Sequence, residues 1–593
     1  MPSKRQNKRL FGVKDLMKHL KLIALVLLLA TLLVGCDSAS STEETGAPAN
    51  TTQQEAPDTE PADTENTPPA EEPEFITLFG KDTSKDYTVI SGIHNAEDIV
   101  NLFKNKFYQK TNKSLNIKST STDESDTEIL IGYAYNREES VEAYGMIAST
   151  EYEIRFVDKK LTISSYTSSG LELALDYLVA NIETNDDGEF GLMSDFTYKA
   201  KSVRLDYDVP KVQTKKGYVL DGYVSNSQFQ LAYKNVTTEE VANYGELLKS
   251  EGYTQHASNT IGNNKFATYY KDDVQVHTMF YPILKDFRVV FGKLGYLPDT
   301  SEPQYTRTND VSLMQNVRAG KTNGMSYTVK LADGSFLIID GGQRSTADTN
   351  SLLSFLQTNK PASDAKPRVI WMITHAHADH LQLANDFLEK YKNEIELEMV
   401  CYNFPDTSVI VDDGAGLTPY IKTFRSLTKN TTTFIFHSGQ KLYLPGVEIE
   451  FLATQEDYWP NEFTNENLTS NVWRMKFEDG RTLLIVGDLE NTGSDRLTDV
   501  YGSLLESDIF QVNHHGYSGY TAHLINFVDP KICLWSTTQA VFEDYNGITG
   551  SANNKVLRQQ LKTTNWTRSD GTSGSRTHYH GEQEFTITFS PAD

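Results

Sequence analysis

Cysteine is almost missing from this chain of 593 residues. Cys36, Cys401 and Cys533 are all it has, so no disulfide framework can staple small domains together. Any folded part must rest on an apolar core, and a composition 38% hydrophobic and 11% aromatic is ample for several. Basic residues are also short: 55 Lys and Arg stand against 80 Asp and Glu, a net charge of −25. Such an acidic body is poorly suited to counterion-driven binding of a phosphate backbone, so nucleic acid is not an expected partner. Long hydrophobic runs are missing too, apart from residues 22–34, a stretch short for a membrane span.

That one run has a purpose. Lys4, Arg5, Lys8, Arg9, Lys14, Lys18 and Lys21 form a basic region ahead of it, and it ends Leu33-Val34-Gly35-Cys36. This tetrapeptide resembles a bacterial lipobox. The resemblance implies that 1–36 is a lipoprotein signal segment, that Cys36 is lipidated, and that the mature chain is held on the extracytoplasmic face of the cell membrane by a lipid anchor without spanning it. Residues 37–74 are rich in Thr, Pro, Ala and Glu, with eleven acids and no Lys or Arg. They bury too little apolar surface to fold and read as a disordered acidic tether.

Residues 75–200 read as a small α/β domain. Strands are expected at 87–90 and 128–132, a hairpin at 152–165 turning on Asp158-Lys159-Lys160, and helices at 96–109 and 170–182. The order of elements, with Ile129-Leu130-Ile131-Gly132 followed by Asn136-Arg137, resembles the non-catalytic N-terminal domain that precedes some glycosidase barrels. That implies surroundings rich in cell-wall glycan or polymer. Residues 201–307 read as a small α+β domain, with a helix at 238–250, a hairpin over 265–281 and a third strand at 287–291. Its aromatics Tyr269, Tyr270, Phe280 and Tyr281 suit a sugar platform, but cross-strand core pairing is the favoured reading.

From 308 to 593 short apolar strands alternate with turns, a pattern that two sheets flanked by helices would absorb. Chemistry concentrates at three strand ends. The first is Thr374-His375-Ala376-His377-Ala378-Asp379-His380, three imidazoles and a carboxylate in seven positions, behind the strand formers Val369-Ile370-Trp371-Met372-Ile373. The second is Gly487-Asp488, after Leu483-Leu484-Ile485-Val486. The third is Asn513-His514-His515-Gly516. Imidazole and carboxylate suit zinc and other first-row metals, and a single loop with this spacing could feed two adjacent ions.

These segments, with Asp340-Gly341-Gly342 at an earlier strand end, resemble the metallo-β-lactamase superfamily. The resemblance implies an αββα sandwich, preceded here by the two small α/β domains, with a dinuclear site at one edge. Two zinc ions are expected, manganese or iron being the alternatives. His375 and His377 would bind the first, Asp379 and His380 the second, and Asp488 would bridge. His514 is favoured to complete the second site, with His515 competing for that role. His437 is a candidate third histidine for the first ion, and Asp340 a supporting group rather than a ligand. His578 and His580 are candidates for reaching the site from the C-terminal strand. The implied chemistry is attack by metal-activated water on a carbonyl carbon or phosphorus, with Asp379 and His380 assisting.

Two branches of the superfamily share the Gly-Asp and His-His-Gly arrangement: the nuclease-like domain of DNA-uptake competence proteins, and the choline-phosphate esterases of Gram-positive surfaces. Both imply phosphodiester cleavage. A lactam or ester hydrolase and a non-catalytic binding lipoprotein are the alternatives.

Overall fold

The computed structural model describes residues 72–92, 97–202, 207–213, 219–225, 228–316, 324–405, 417–458, 466–543, 552–568 and 570–591. The expected signal segment, Cys36 and the expected tether as far as residue 71 lie outside them. Among the described residues no helix is long and apolar enough to cross a membrane.

The first sheet runs Ile117–Ser119, Thr88–Ser91, Glu128–Ile131, Lys160–Ser165, Glu151–Val157, Thr197–Lys201, parallel in its first half and antiparallel in its second. Helices Glu97–Thr111 and Ser168–Asn181 supply Phe103, Phe107, Leu171, Leu175 and Leu178 to its core. The expected helix at 170–182 begins slightly earlier, because Thr167 caps it by accepting from the Gly170 amide.

The second sheet is antiparallel, in the order Val219–Ser225, Gln228–Lys234, Asp286–Lys293, Val274–Tyr281, Asn264–Lys271, Thr254–Ile261, with the helix Thr238–Ser250. Alternation assigns its two faces. Phe229, Leu231, Tyr233, Phe287, Val289 and Phe291 join Tyr244 and Leu248 of the helix in one core. Phe266, Met279, Tyr281 and Val290 point the other way, into the core of the following region. Tyr269, Phe280 and Tyr281 are thus buried packing groups, and Tyr270 is half-buried. A cavity of about 1160 Å³ lies beside Tyr133, Tyr144, Lys211 and Tyr253, and none of the histidines of the three strand ends lines it.

From Val311 the chain builds two seven-stranded sheets. One runs Thr432–Phe434, Glu396–Cys401, Arg368–Met372, Phe336–Ile339, Tyr327–Lys330, Val311–Gln315, Thr586–Phe589. The other runs Lys441–Leu444, Val447–Ala453, Val472–Phe477, Thr482–Ile485, Ile509–Gln511, Ile532–Trp535, Thr577–His580. Their inner faces share one core, in which Leu337, Ile339, Met372 and Phe434 meet Ile449, Phe451, Trp473 and Ile485. Outside the first sheet, Phe336, Ile338 and Trp371 pack on helices Thr346–Asn359, Ala378–Tyr391 and Leu417–Thr428 through Leu356, Phe387 and Phe424. Outside the second, Leu484, Phe510 and Trp535 pack on Leu497, Leu524 and Leu561 of helices Asn491–Tyr501, Ala522–Val528 and Ala552–Thr563, and the antiparallel sheet fills the remaining cover. The layers are α, β, β, α. At about 1.5–3 kcal/mol for each fully buried large apolar side chain, these three shared cores supply the drive to fold.

Candidate metal centre

The chemistry sits at the carboxyl ends of parallel strands. Phe336–Ile339, Arg368–Met372 and Glu396–Cys401 are parallel neighbours in one sheet; Thr482–Ile485, Ile509–Gln511 and Ile532–Trp535 are parallel neighbours in the other. Each chain leaves its strand at the same edge. Arg368–Met372 leads through Thr374 to His375 and His377, and His377 is the N-cap of helix Ala378–Tyr391. Asp379 falls in that helix's first turn and His380 follows. Gly341 allows the helix to come close: a Cβ there would meet the Ala384 amide nitrogen at 2.4 Å. Gly487 turns with φ +55 beside Thr374 and delivers Asp488.

Two groups of ligand atoms converge. Asp379, His380, Asp488 and His515 form one, and His375, His377 and Asp488 the other; within each group the atoms lie within 4.8 Å of one another. Asp488 is common to both. His375 Nε2 lies 3.0 Å from His377 Nδ1. Burial, reinforced by neighbouring imidazoles, pushes the pKa of His375 far down; burial also lowers that of His377. Both rings are therefore neutral, the form that ligates.

Hydrogen bonding fixes which nitrogens are bare. A carbonyl only accepts, so His515 Nδ1, 2.7 Å from Ser536 O, carries the proton. His380 Nδ1 donates to Asp340 Oδ2 at 2.7 Å. In the neutral, ligating form both Nε2 atoms turn lone pairs toward one another at 3.2 Å. Carboxylate oxygens crowd the same space: Asp488 Oδ1 is 3.1 Å from His380 Nε2, and Asp379 Oδ2 is 3.0 Å from His515 Nε2. Asp488 Oδ1 is buried and has no hydrogen-bond donor of proper geometry. Such a concentration of electron pairs repels unless positive charge lies among them. Burial works against charging His515, yet Asp488 and Asp379 outweigh it and hold its pKa at about 9. Pinned imidazoles and carboxylates around a space that draws positive charge fit zinc or a similar first-row ion.

The structure reverses the preference between the paired histidines. His515 is 2% exposed and belongs to the cluster, whereas His514 is 28% exposed, with Nε2 at 3.8 Å from Asp488 Oδ2. Its Nδ1 is taken by Glu490 Oε1 at 3.0 Å and Ser518 Oγ at 2.8 Å. Both residues have positive φ, 43° and 53°, so the backbone swings successive side chains in different directions. His515→Ala is expected to lose bound metal, while His514→Ala keeps it; elemental analysis after gel filtration decides. Retention by the first with loss by the second would return the ligand role to His514.

Asp340, fully buried, accepts from the Thr374 amide and hydroxyl and from His380, a supporting position. His437 is not in either group; Glu456 takes its Nδ1 at 2.8 Å. His578 and His580 lie on the strand Thr577–His580, outside both groups, because His578 packs against Trp535 and accepts its indole N–H, while His580 lies against Phe542. Sequence reasoning passed over Glu466, 4.0 Å from His377, and Glu490. Glu490 had a signal, two positions after the Gly-Asp turn; Glu466 had none.

No family model matches the chain, and no curated protein matches it at a significant level. Solved structures overlap parts of it. A protein of Parabacteroides distasonis assigned as a metal-dependent hydrolase matches at 13% identity over 56% of this chain and 99% of its own, with a TM-score of 0.24. A metallo-β-lactamase family protein of Thermus thermophilus matches at 15% over 32% and 70%, TM-score 0.20. The long form of RNase Z from yeast matches at 10% over 45% and 46%, TM-score 0.19. The layering and strand order described above carry the fold assignment. The fold is a four-layered αββα sandwich, the architecture that the sequence resemblance implies.

Proposed function

We propose that this protein is a metal-dependent hydrolase of the metallo-β-lactamase superfamily. It is held at the outer face of the membrane by lipid on Cys36 and cleaves phosphodiesters of the cell wall or of extracellular polymers. The observation that carries the catalytic reading is the sharing of Asp488 by two ligand groups at one sandwich edge. Structural zinc sites are closed cages on four ligands, whereas this site opens at Asp379, His377 and His514, 30%, 17% and 28% exposed. Divalent ions held here would polarise a substrate oxygen and acidify water.

The chain's own groups do the rest. His375 and His515 form the buried wall, and Asp379 lies between that wall and solvent, where its carboxylate can orient an attacking water. Glu466, His514, Glu490 and Ser518 line the rim and would contact the substrate's flanking groups. The acidic tether would space this unit from the membrane.

The full-length chain in detergent is expected to hydrolyse a chromogenic phosphodiester, to lose activity on chelation, and to regain it with zinc or manganese. Asp379→Ala abolishes that turnover. Hydrolysis of a chromogenic cephalosporin or ester instead would move the protein to the acyl-substrate reading. Metal-free, inactive protein would make it a binding lipoprotein.

A further inference from the structure

The antiparallel sheet spanning Val219–Ser225 to Asp286–Lys293 turns an unusual face to the sandwich. Gln228, Gln230, His277, Asp286 and Arg288 are all at most 5% exposed. Groups of this kind are costly to bury unless matched, and an interface held by apolar contact alone would not carry them. Their partners lie in the sandwich, and the bonds lead inward to the metal loop.

His277 Nε2 donates to Ser438 O at 2.9 Å, its ring stacked on His437 at 5.0 Å between centroids. The Gln228 amide nitrogen lies 3.2 Å from His437 Nε2. An amide nitrogen only donates, so His437 Nε2 accepts and its Nδ1 holds the proton, which it gives to Glu456. The same Glu456 oxygen accepts from Asn403 Nδ2 at 2.7 Å. Asn403 lies two residues past the strand Glu396–Cys401, beside the metal-loop strand, and its carbonyl accepts from Asn471 Nδ2 at 3.5 Å. Asn471 grips the Thr374 carbonyl twice, through Nδ2 at 2.7 Å and its backbone amide at 2.9 Å. Thr374 precedes His375 and is held from the other side by Asp340.

We infer that the antiparallel sheet is a positioning element for the metal loop, acting from Gln228 through His437, Glu456, Asn403 and Asn471 on Thr374. This rests on the reading that the strand-end cluster binds metal. In that light His437 is no ligand; it is the joint through which the sheet meets the site. Every member is buried and has a directional partner, so the chain of bonds has one arrangement, and freeing one end lets the Thr374 carbonyl shift. Ligand sites tolerate only about 0.5 Å of such movement.

The test uses the full-length chain and competition for zinc against a chromophoric chelator, with thermal denaturation alongside. Gln228→Leu removes the donor at the sheet's end at nearly constant volume. Gln228→Asn keeps the amide but draws it back by one methylene, and serves if the leucine variant fails to fold. Asn259→Leu is the control. It lies on the same interface, bonded to Gly439 O and Glu450 at 3.0 Å each, and is off the path. The Gln228 variants are expected to bind zinc roughly tenfold more weakly, as coupling through a hydrogen-bonded network allows. Asn259→Leu is expected to lower only the melting temperature. Wild-type zinc affinity in both Gln228 variants overturns the positioning role and leaves the metal site standing. No zinc binding by the wild type overturns the metal reading and this inference with it.

Discussion

Asp488→Ala is expected to take a ligand from both halves of the centre in one substitution. The carboxylate is the only residue common to the two ligand groups, with oxygens 3.1 Å from His380 Nε2, 3.3 Å from His515 Nε2 and 3.9 Å from His375 Nε2. Without it, His375 and His377 are left as a pair, below the three protein ligands usual for a catalytic zinc. The other group keeps Asp379, His380 and His515. Metal content is therefore expected to fall to one ion per chain at most. Electrostatic assistance from a metal pair is worth several kcal/mol in the transition state, so turnover should drop by about a thousandfold or more. Elemental analysis and the phosphodiester assay on the same preparation check this. Two ions retained at full occupancy would show that the ligand groups are wrongly drawn. His377→Ala is the graded comparison: it touches one group only and leaves the Asp379 side loaded.

The parts of this site that could be read from sequence are those fixed locally. Apolar strands followed at once by Thr-His-Ala-His-Ala-Asp-His, Gly-Asp and Asn-His-His-Gly put their ligands at strand ends by chain geometry alone, and the structure brings those ends together. What decides between His514 and His515 is not local. Two adjacent imidazoles in left-handed backbone are sorted by Ser536 O on one side and by Glu490 and Ser518 on the other, groups from elsewhere in the chain. The role of His437 is also set from a distance. It falls in the expected interval, but Gln228, 209 residues earlier, and Glu456 take both its ring nitrogens. The strand Gln228–Lys234 was illegible because one of its faces is a polar interface: Gln228 and Gln230 stand where a half-buried strand would carry apolar residues. The closing strand Thr586–Phe589 pairs with Val311–Gln315, across nearly the whole domain, and nothing short-range announces that.

Asp340 separates support from ligation most sharply, because two substitutions there should fail differently. Its carboxylate, fully buried, accepts three hydrogen bonds of 2.7 Å each, from Thr374 N, Thr374 Oγ1 and His380 Nδ1. Asp340→Ala strips those buried donors of the carboxylate they share. At about 1–3 kcal/mol for each stranded group, the loss approaches the whole stability of an ordinary domain. The variant is expected to be insoluble, or to melt far below the wild type even with zinc present. Asp340→Asn keeps the shape, and asparagine tolerates the left-handed φ of 55° found at this position. Its NH2 must face either the Thr374 amide or the His380 Nδ1–H, donor against donor. The second arrangement is relieved if His380 moves its proton to Nε2, the nitrogen aimed at Asp488. A protonated Nε2 cannot ligate, so zinc affinity falls by about ten- to a hundredfold while much of the fold's stability survives. Chelator competition and calorimetry on Asp340→Asn read the two effects apart. Wild-type zinc affinity there would mean either that the NH2 faces Thr374 N and the His380 proton stays on Nδ1, or that His380 does not bind through Nε2.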